Sequence, residues 1–77
     1  LGKMRMHKGV DYAARTGTPI MAAGDARVQF VGVQRGYGNG VILDPGRGHT
    51  TLYGQMSRFA GIKNGQRVAQ GTVIGYV

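Results

Sequence analysis

The stretch ARVQFVGVQRGYGNGVILD, residues 26–44, decides the fold class. Its first nine residues are rich in β-branched and aromatic side chains and carry no helical period, so they predict a strand. Val28 and Phe30 would lie on one face of that strand and Val31 and Val33 on the other, the pattern of a strand covered on both sides. Asn39-Gly40 reaches positive φ at little cost, so it predicts a hairpin turn leading into a second strand over 40–44.

The rest of the chain continues in the same style. Fifteen glycines interrupt its 77 residues, and no window of about 11 residues holds a helical repeat. Strands are expected at about 9–14, 18–23, 26–34, 40–44, 49–55, 66–69 and 72–77. Asp44-Pro45-Gly46 predicts a turn in which Pro45 fixes φ, Gly46 goes left-handed and Asp44 caps. Asp25, after Gly24, reads as a turn residue. Asn64-Gly65 and Gln70-Gly71 predict two more turns around the short strand 66–69, with Val68 and Val73 inward and Lys63 and Arg67 in water. SRFAGI, residues 57–62, is the one helical candidate, a single turn with Ser57 as N-cap. The expected fold class is all-β: an antiparallel sheet or sandwich of short, glycine-rich hairpins.

Composition limits the function classes. No cysteine is present, which removes disulfides and thiolate metal sites. No apolar run is long enough to span a bilayer. Ten Lys and Arg against three Asp give a net charge of +7, a surface that favours polyanions such as an acidic cell wall, anionic lipid or nucleic acid. The basic residues are scattered, and the six aromatics do not cluster with arginine as base-stacking would require, so no nucleic-acid partner is expected. The turns around 66–69 also suit a hairpin of a lipoyl or biotinyl carrier. However, Lys63 lacks the flanking residues of a modified tip. The start at Leu1 and the end at VIGYV predict an internal piece of a longer chain.

HKGVDYAA, residues 7–14, places His7 and Asp11 four apart in a chain with two histidines and three acids. Zinc takes neutral imidazole nitrogen and carboxylate oxygen, and this pair offers one of each. Gly9 and Val10 argue against a helix there. A bend at Lys8-Gly9 ahead of a strand would bring the two side chains together. The spacing by itself is equally that of an exposed pair or of a structural hydrogen bond.

The order of motifs adds to this. HKGVDYAARTGTPIMAAGDARV, GYGNGVILDPG, TTLYGQMSRF and GQRVAQGTVIGYV follow one another from His7 to Val77. In that order they resemble the lysostaphin-type (LytM-type) zinc metallopeptidases, which cleave peptide bonds in peptidoglycan stems and cross-links. The most specific part is the opening His-to-Ala-Ala phrase followed by Gly17-Thr18-Pro19. The resemblance implies a groove on one face of an antiparallel sheet. It also implies a zinc ion held by His7 and Asp11, with a third ligand, the last His of a His-X-His motif, beyond Val77. Residues 1–77 would then be the N-terminal and central part of one peptidase domain. With two of three protein ligands they are expected to bind zinc weakly, or not at all, when isolated. An open sheet edge is expected to invite self-association.

One departure stands out. Where the family has Tyr-X-His-(Leu/Met), this chain reads Tyr53-Gly54-Gln55-Met56. Glutamine donates a hydrogen bond to an oxyanion but carries no proton near neutral pH. Gln55 is therefore expected either to stabilise charge in place of the family's histidine or to mark a non-catalytic relative that binds cell wall or activates amidases. Retention of His7 and Asp11 favours the enzyme. Three further residues have two readings each. His49 either shares a strand face with Gln55 or sits solvated at a strand end. Asn39 lines the groove or makes its turn. Tyr53 borders the site or belongs to the core. The resemblance places the protein in the periplasm or cell envelope, with secretion as the alternative.

Overall fold

The computed structural model describes residues 2–4 and 12–77. His7 and Asp11 lie outside the described residues. Among the described residues nine strands follow one another: β1 (Gly2–Met4), β2 (Tyr12–Ala14), β3 (Pro19–Met21), β4 (Ala26–Gln34), β5 (Gly38–Asp44), β6 (Thr51–Tyr53), β7 (Arg58–Phe59), β8 (Arg67–Val68) and β9 (Val73–Tyr76). Every pairing is antiparallel. They form a two-stranded ribbon β1-β2, a three-stranded sheet β3-β9-β7 and a four-stranded sheet β6-β5-β4-β8. The all-β expectation holds, and no helix occurs among the described residues.

The long hairpin β4–β5 organises the larger sheet. The strand expected over 26–34 forms over those residues, but its two faces differ from the simple alternation. A bulge between Val28 and Phe30 inserts Gln29 as an unpaired residue. Such an extra residue moves everything after it to the opposite face. Val28 now pairs with Leu43, and Val31 with Val41, so all four point to the core side. Phe30 pairs with Ile42, which pairs in turn with Leu52, on the other face. Val33 runs past the core and is 76% exposed, so this end of β4 is not covered on both sides.

The core lies between the two larger sheets. Ile20 and Ile74 from one sheet meet Val28, Val41, Leu43, Tyr53 and Val68 from the other, with Ala22 and Met56 between them. The turns around β8 form as expected, with Gly65 and Gly71 at φ 86 and 88. Val68 is buried, whereas Val73 is only half-buried and its neighbour Ile74 is the fully enclosed residue. Asp44 caps its turn as expected: its Oδ1 accepts from the Gly46 amide at 2.7 Å.

Two local expectations are corrected. The β4–β5 turn is made by residues 35–37 and not by Asn39-Gly40. Gly36 and Gly38 take the positive φ, while Asn39 and Gly40 pair with Val33 and Gly32 inside the sheet. Two glycines two residues apart at the hairpin end take the positive φ in place of the Asn-Gly pair, and Asn39 and Gly40 add two cross-strand pairs. SRFAGI is not helical: Arg58 and Phe59 form β7, paired with Tyr76 and Gly75. Ser57 does not cap a helix. Its Oγ donates to the Tyr76 carbonyl at 3.3 Å. A single isolated turn of helix cannot compete with strand pairing that satisfies the same backbone groups.

Candidate functional site

Gln55 lies just past the end of β6, where the chain leaves the four-stranded sheet for β7. Its φ is 56, and it is the one non-glycine residue with positive φ among the described residues. An L-residue held there sacrifices roughly 1–2 kcal/mol, which the surroundings must offset. The Gln55 amide donates to the Tyr37 carbonyl at 2.6 Å. The adjoining Met56 amide donates to the Asn39 carbonyl at 3.0 Å, and the Asn39 side-chain nitrogen donates back to the Met56 carbonyl at 3.0 Å. Ser57 continues the run by donating its amide to the Tyr76 carbonyl at 2.8 Å. Residues 55–57 are thus laced to the tip of β4–β5 on one side and to β9 on the other.

The side chain of Gln55 is exposed. Its Oε1 lies near the hairpin tip, 3.8 Å from where a Cβ on Gly38 would stand. The left-handed φ turns this side chain out of the alternation that buries Tyr53 two residues earlier. What it presents is an amide with a donor and an acceptor, on a backbone fixed from both sides.

Of the residues singled out from sequence, the structure brings Asn39 to Gln55 through Met56. Asn39 makes no turn, and its side-chain amide is spent on the backbone beside Gln55. Tyr53 is 2% exposed and belongs to the core, with its hydroxyl accepting from the Ala23 amide. His49 is exposed and precedes β6, which begins at Thr51, so His49 and Gln55 do not share a strand. Residues not anticipated are Tyr37, whose carbonyl holds Gln55, and Gly75, against which Met56 packs. Nothing in the sequence marked Tyr37, because its role uses only a main-chain oxygen. The glycine at 75 inside a strand was the available sign of close approach.

No group of three or more His, Cys, Asp or Glu comes together among the described residues. For a metal, the donor chemistry of His7 and Asp11 fits zinc, and the cysteine-free composition leaves nitrogen and oxygen as the donor types. A cleft lies elsewhere. About 580 Å³ in volume, it is lined by Asp25, Arg27, Asp44, Pro45 and Arg67 at the end of β4 remote from Gln55. Its two acids each accept from a backbone amide, Gln70 on Asp25 and Gly46 on Asp44. Both carboxylates thus serve the turns that carry them, and the cleft lies at the far end of β4 from Gln55.

The family model described as Peptidase family M23 matches residues 5–77. The chain is 42% identical over 73 residues to the DD-carboxypeptidase/endopeptidase Mpg of Neisseria meningitidis, covering 95% of the chain and 16% of that relative. It is 39% identical over 74 residues to the peptidoglycan DD-endopeptidase ShyC of Vibrio cholerae, covering 96% of the chain and 17% of the relative. It superposes on the catalytic domain of lysostaphin from Staphylococcus simulans with a TM-score of 0.79 and 30% identity, covering 92% of the chain and 54% of that structure. The chain therefore spans about one sixth of the length of these two curated relatives.

Proposed function

Because this chain belongs to peptidase family M23, we propose that it is part of a zinc-dependent metalloendopeptidase that hydrolyses peptide bonds in peptidoglycan stems or cross-links. The observation that carries this reading is the family match, which runs from residue 5 through His7, Asp11 and Gln55 to residue 77. Relatives named for DD-endopeptidase activity support the substrate class. The net charge of +7 supports it too, since a basic enzyme concentrates on an anionic wall polymer.

In this reading His7 and Asp11 are metal ligands, completed by a third residue outside the 77. Zinc bound there would supply Lewis acidity towards the scissile carbonyl and a nucleophile at neutral pH. The chain's own contribution at Gln55 is an amide N–H aimed at developing oxyanion charge, with its direction fixed by the backbone around it. Because glutamine does not titrate, proton transfer falls to other groups of the enzyme. The site of action is the periplasm or cell envelope. Among the described residues the larger sheet ends on β6 and β8, and pairing of such an edge with a second chain belongs to the same proposal.

A second reading, a non-catalytic wall-binding or amidase-activating relative, is favoured by Gln55 standing where the resemblance expects histidine. Digestion of purified peptidoglycan by the full-length protein separates the two. The enzyme reading expects release of soluble fragments that stops with a chelator and resumes with added zinc. Binding to the wall without fragment release, with zinc present, rules that reading out.

A further inference from the structure

We propose that Asn39 is a positioning residue for Gln55, acting through the backbone of Met56. The inference rests on the reading that Gln55 faces the reacting bond, and adds how its direction is set.

Gln55 occupies a left-handed conformation that its residue type disfavours. Such a conformation persists where neighbouring contacts over-determine it. The next residue, Met56, is gripped at both ends of its backbone by one partner. Its amide donates to the Asn39 carbonyl, and its carbonyl accepts from the Asn39 side chain, each at 3.0 Å. The first of these bonds is available from any residue at 39. The second needs a side chain that donates and is of asparagine's length. Met56 is further fixed by its own side chain, which is 4% exposed and packs against Gly75, where an added Cβ would lie 2.5 Å from Sδ. With Met56 immobile and the Gln55 amide held by Tyr37, the torsions of Gln55 have little freedom. Asn39 is half-buried, and its side-chain nitrogen donates to the Met56 carbonyl, so the contact it makes here is with the main chain beside Gln55.

Asparagine is needed here for one donor. Asn39→Asp keeps the shape and the main-chain bond but sets a carboxylate against the Met56 carbonyl. Asn39→Ser removes the same bond without adding charge, and serves if the aspartate variant folds poorly. The test uses the full-length protein and has two arms. In the first, backbone chemical shifts of Gln55 report its φ independently of activity. They are expected to leave the left-handed range in the Asn39 variants, and unchanged shifts overturn the inference. In the second, kcat and KM on a soluble cross-linked peptidoglycan fragment are measured for Asn39→Asp, Gln55→Ala and the double variant. We expect kcat to fall about tenfold or more in Asn39→Asp with KM within about twofold, and the loss to shrink below about twofold when Gln55 is already alanine. An equal loss in both backgrounds overturns the positioning role. If the shifts move but Gln55→Ala is silent on turnover, the assignment of Gln55 to the reaction fails while its positioning by Asn39 stands.

Discussion

The phenol oxygen of Tyr53 accepts a hydrogen bond from the Ala23 amide at 3.2 Å, a contact that joins β6 to the segment just after β3. The two residues are thirty apart in sequence; Tyr53 belongs to the four-stranded sheet, and Ala23 follows the edge strand β3 of the other sheet that makes the core. The ring of Tyr53 is buried against Val41, its partner in β5, so one side chain packs one sheet and tethers the other.

Tyr53→Phe keeps the ring and removes the tether. The expected loss is about 0.5–1.5 kcal/mol, the net worth of one such bond. Urea unfolding of the full-length protein checks it through a lower midpoint at unchanged slope. Turnover on peptidoglycan should stay close to wild type, since the hydroxyl faces Ala23 and not Gln55.

Ile74 and Val33 form a matched pair for the core itself. Ile74 is 0% exposed in the central strand of its sheet, and Val33 is 76% exposed near the hairpin tip. Ile74→Ala is expected to cost about 2–5 kcal/mol through lost transfer energy and the cavity left behind. Val33→Ala should stay within about 0.5 kcal/mol. Similar losses at the two positions would mean that the sheets do not pack as described.

Gly75 cannot take a side chain without moving its neighbours. A Cβ there would stand 2.5 Å from Met56 Sδ and 3.0 Å from the Arg58 carbonyl. The thioether can swing aside but the carbonyl belongs to the β7–β9 ladder, so Gly75→Ala is expected to destabilise by about 1–3 kcal/mol. Because Met56 carries the backbone next to Gln55, the same variant should also lower kcat. A melting curve and a turnover assay on one preparation check both.

Gln55→Gly separates stability from function. Glycine adopts φ 56 without the steric cost an L-residue bears, so the variant is expected to gain about 0.5–1 kcal/mol, somewhat less than the full strain because glycine also loosens the unfolded chain. It should lose turnover together with the side-chain amide. Stability without change, measured by denaturant titration, would show that the left-handed conformation stores no strain.

Much of this fold can be read from local pattern. The strand over 26–34 and the turns at Asn64-Gly65 and Gln70-Gly71 follow from residues that have few other options. What local pattern missed depends on partners far along the chain. Phe59 joins a strand because Gly75 lies beside it, and the bulge at Gln29 appears only once β5 is in register. β1 was not anticipated at all, being three residues without alternation whose strand character comes from β2. At the site, residue types marked Gln55 and Asn39 as polar groups of interest, but not their mutual arrangement. Gln55 in its left-handed turn is bonded to Tyr37, and its neighbour Met56 to Asn39, partners that the β4–β5 hairpin brings there.

The central claim is that the imidazole of His7 and the carboxylate of Asp11 hold one zinc ion in the intact enzyme. Equilibrium dialysis of the full-length protein against zinc, with metal counted by elemental analysis, tests it most directly. The account predicts one tightly held zinc in the wild type and its loss in both His7→Ala and Asp11→Ala, with folding retained. Full zinc occupancy in either variant would contradict it.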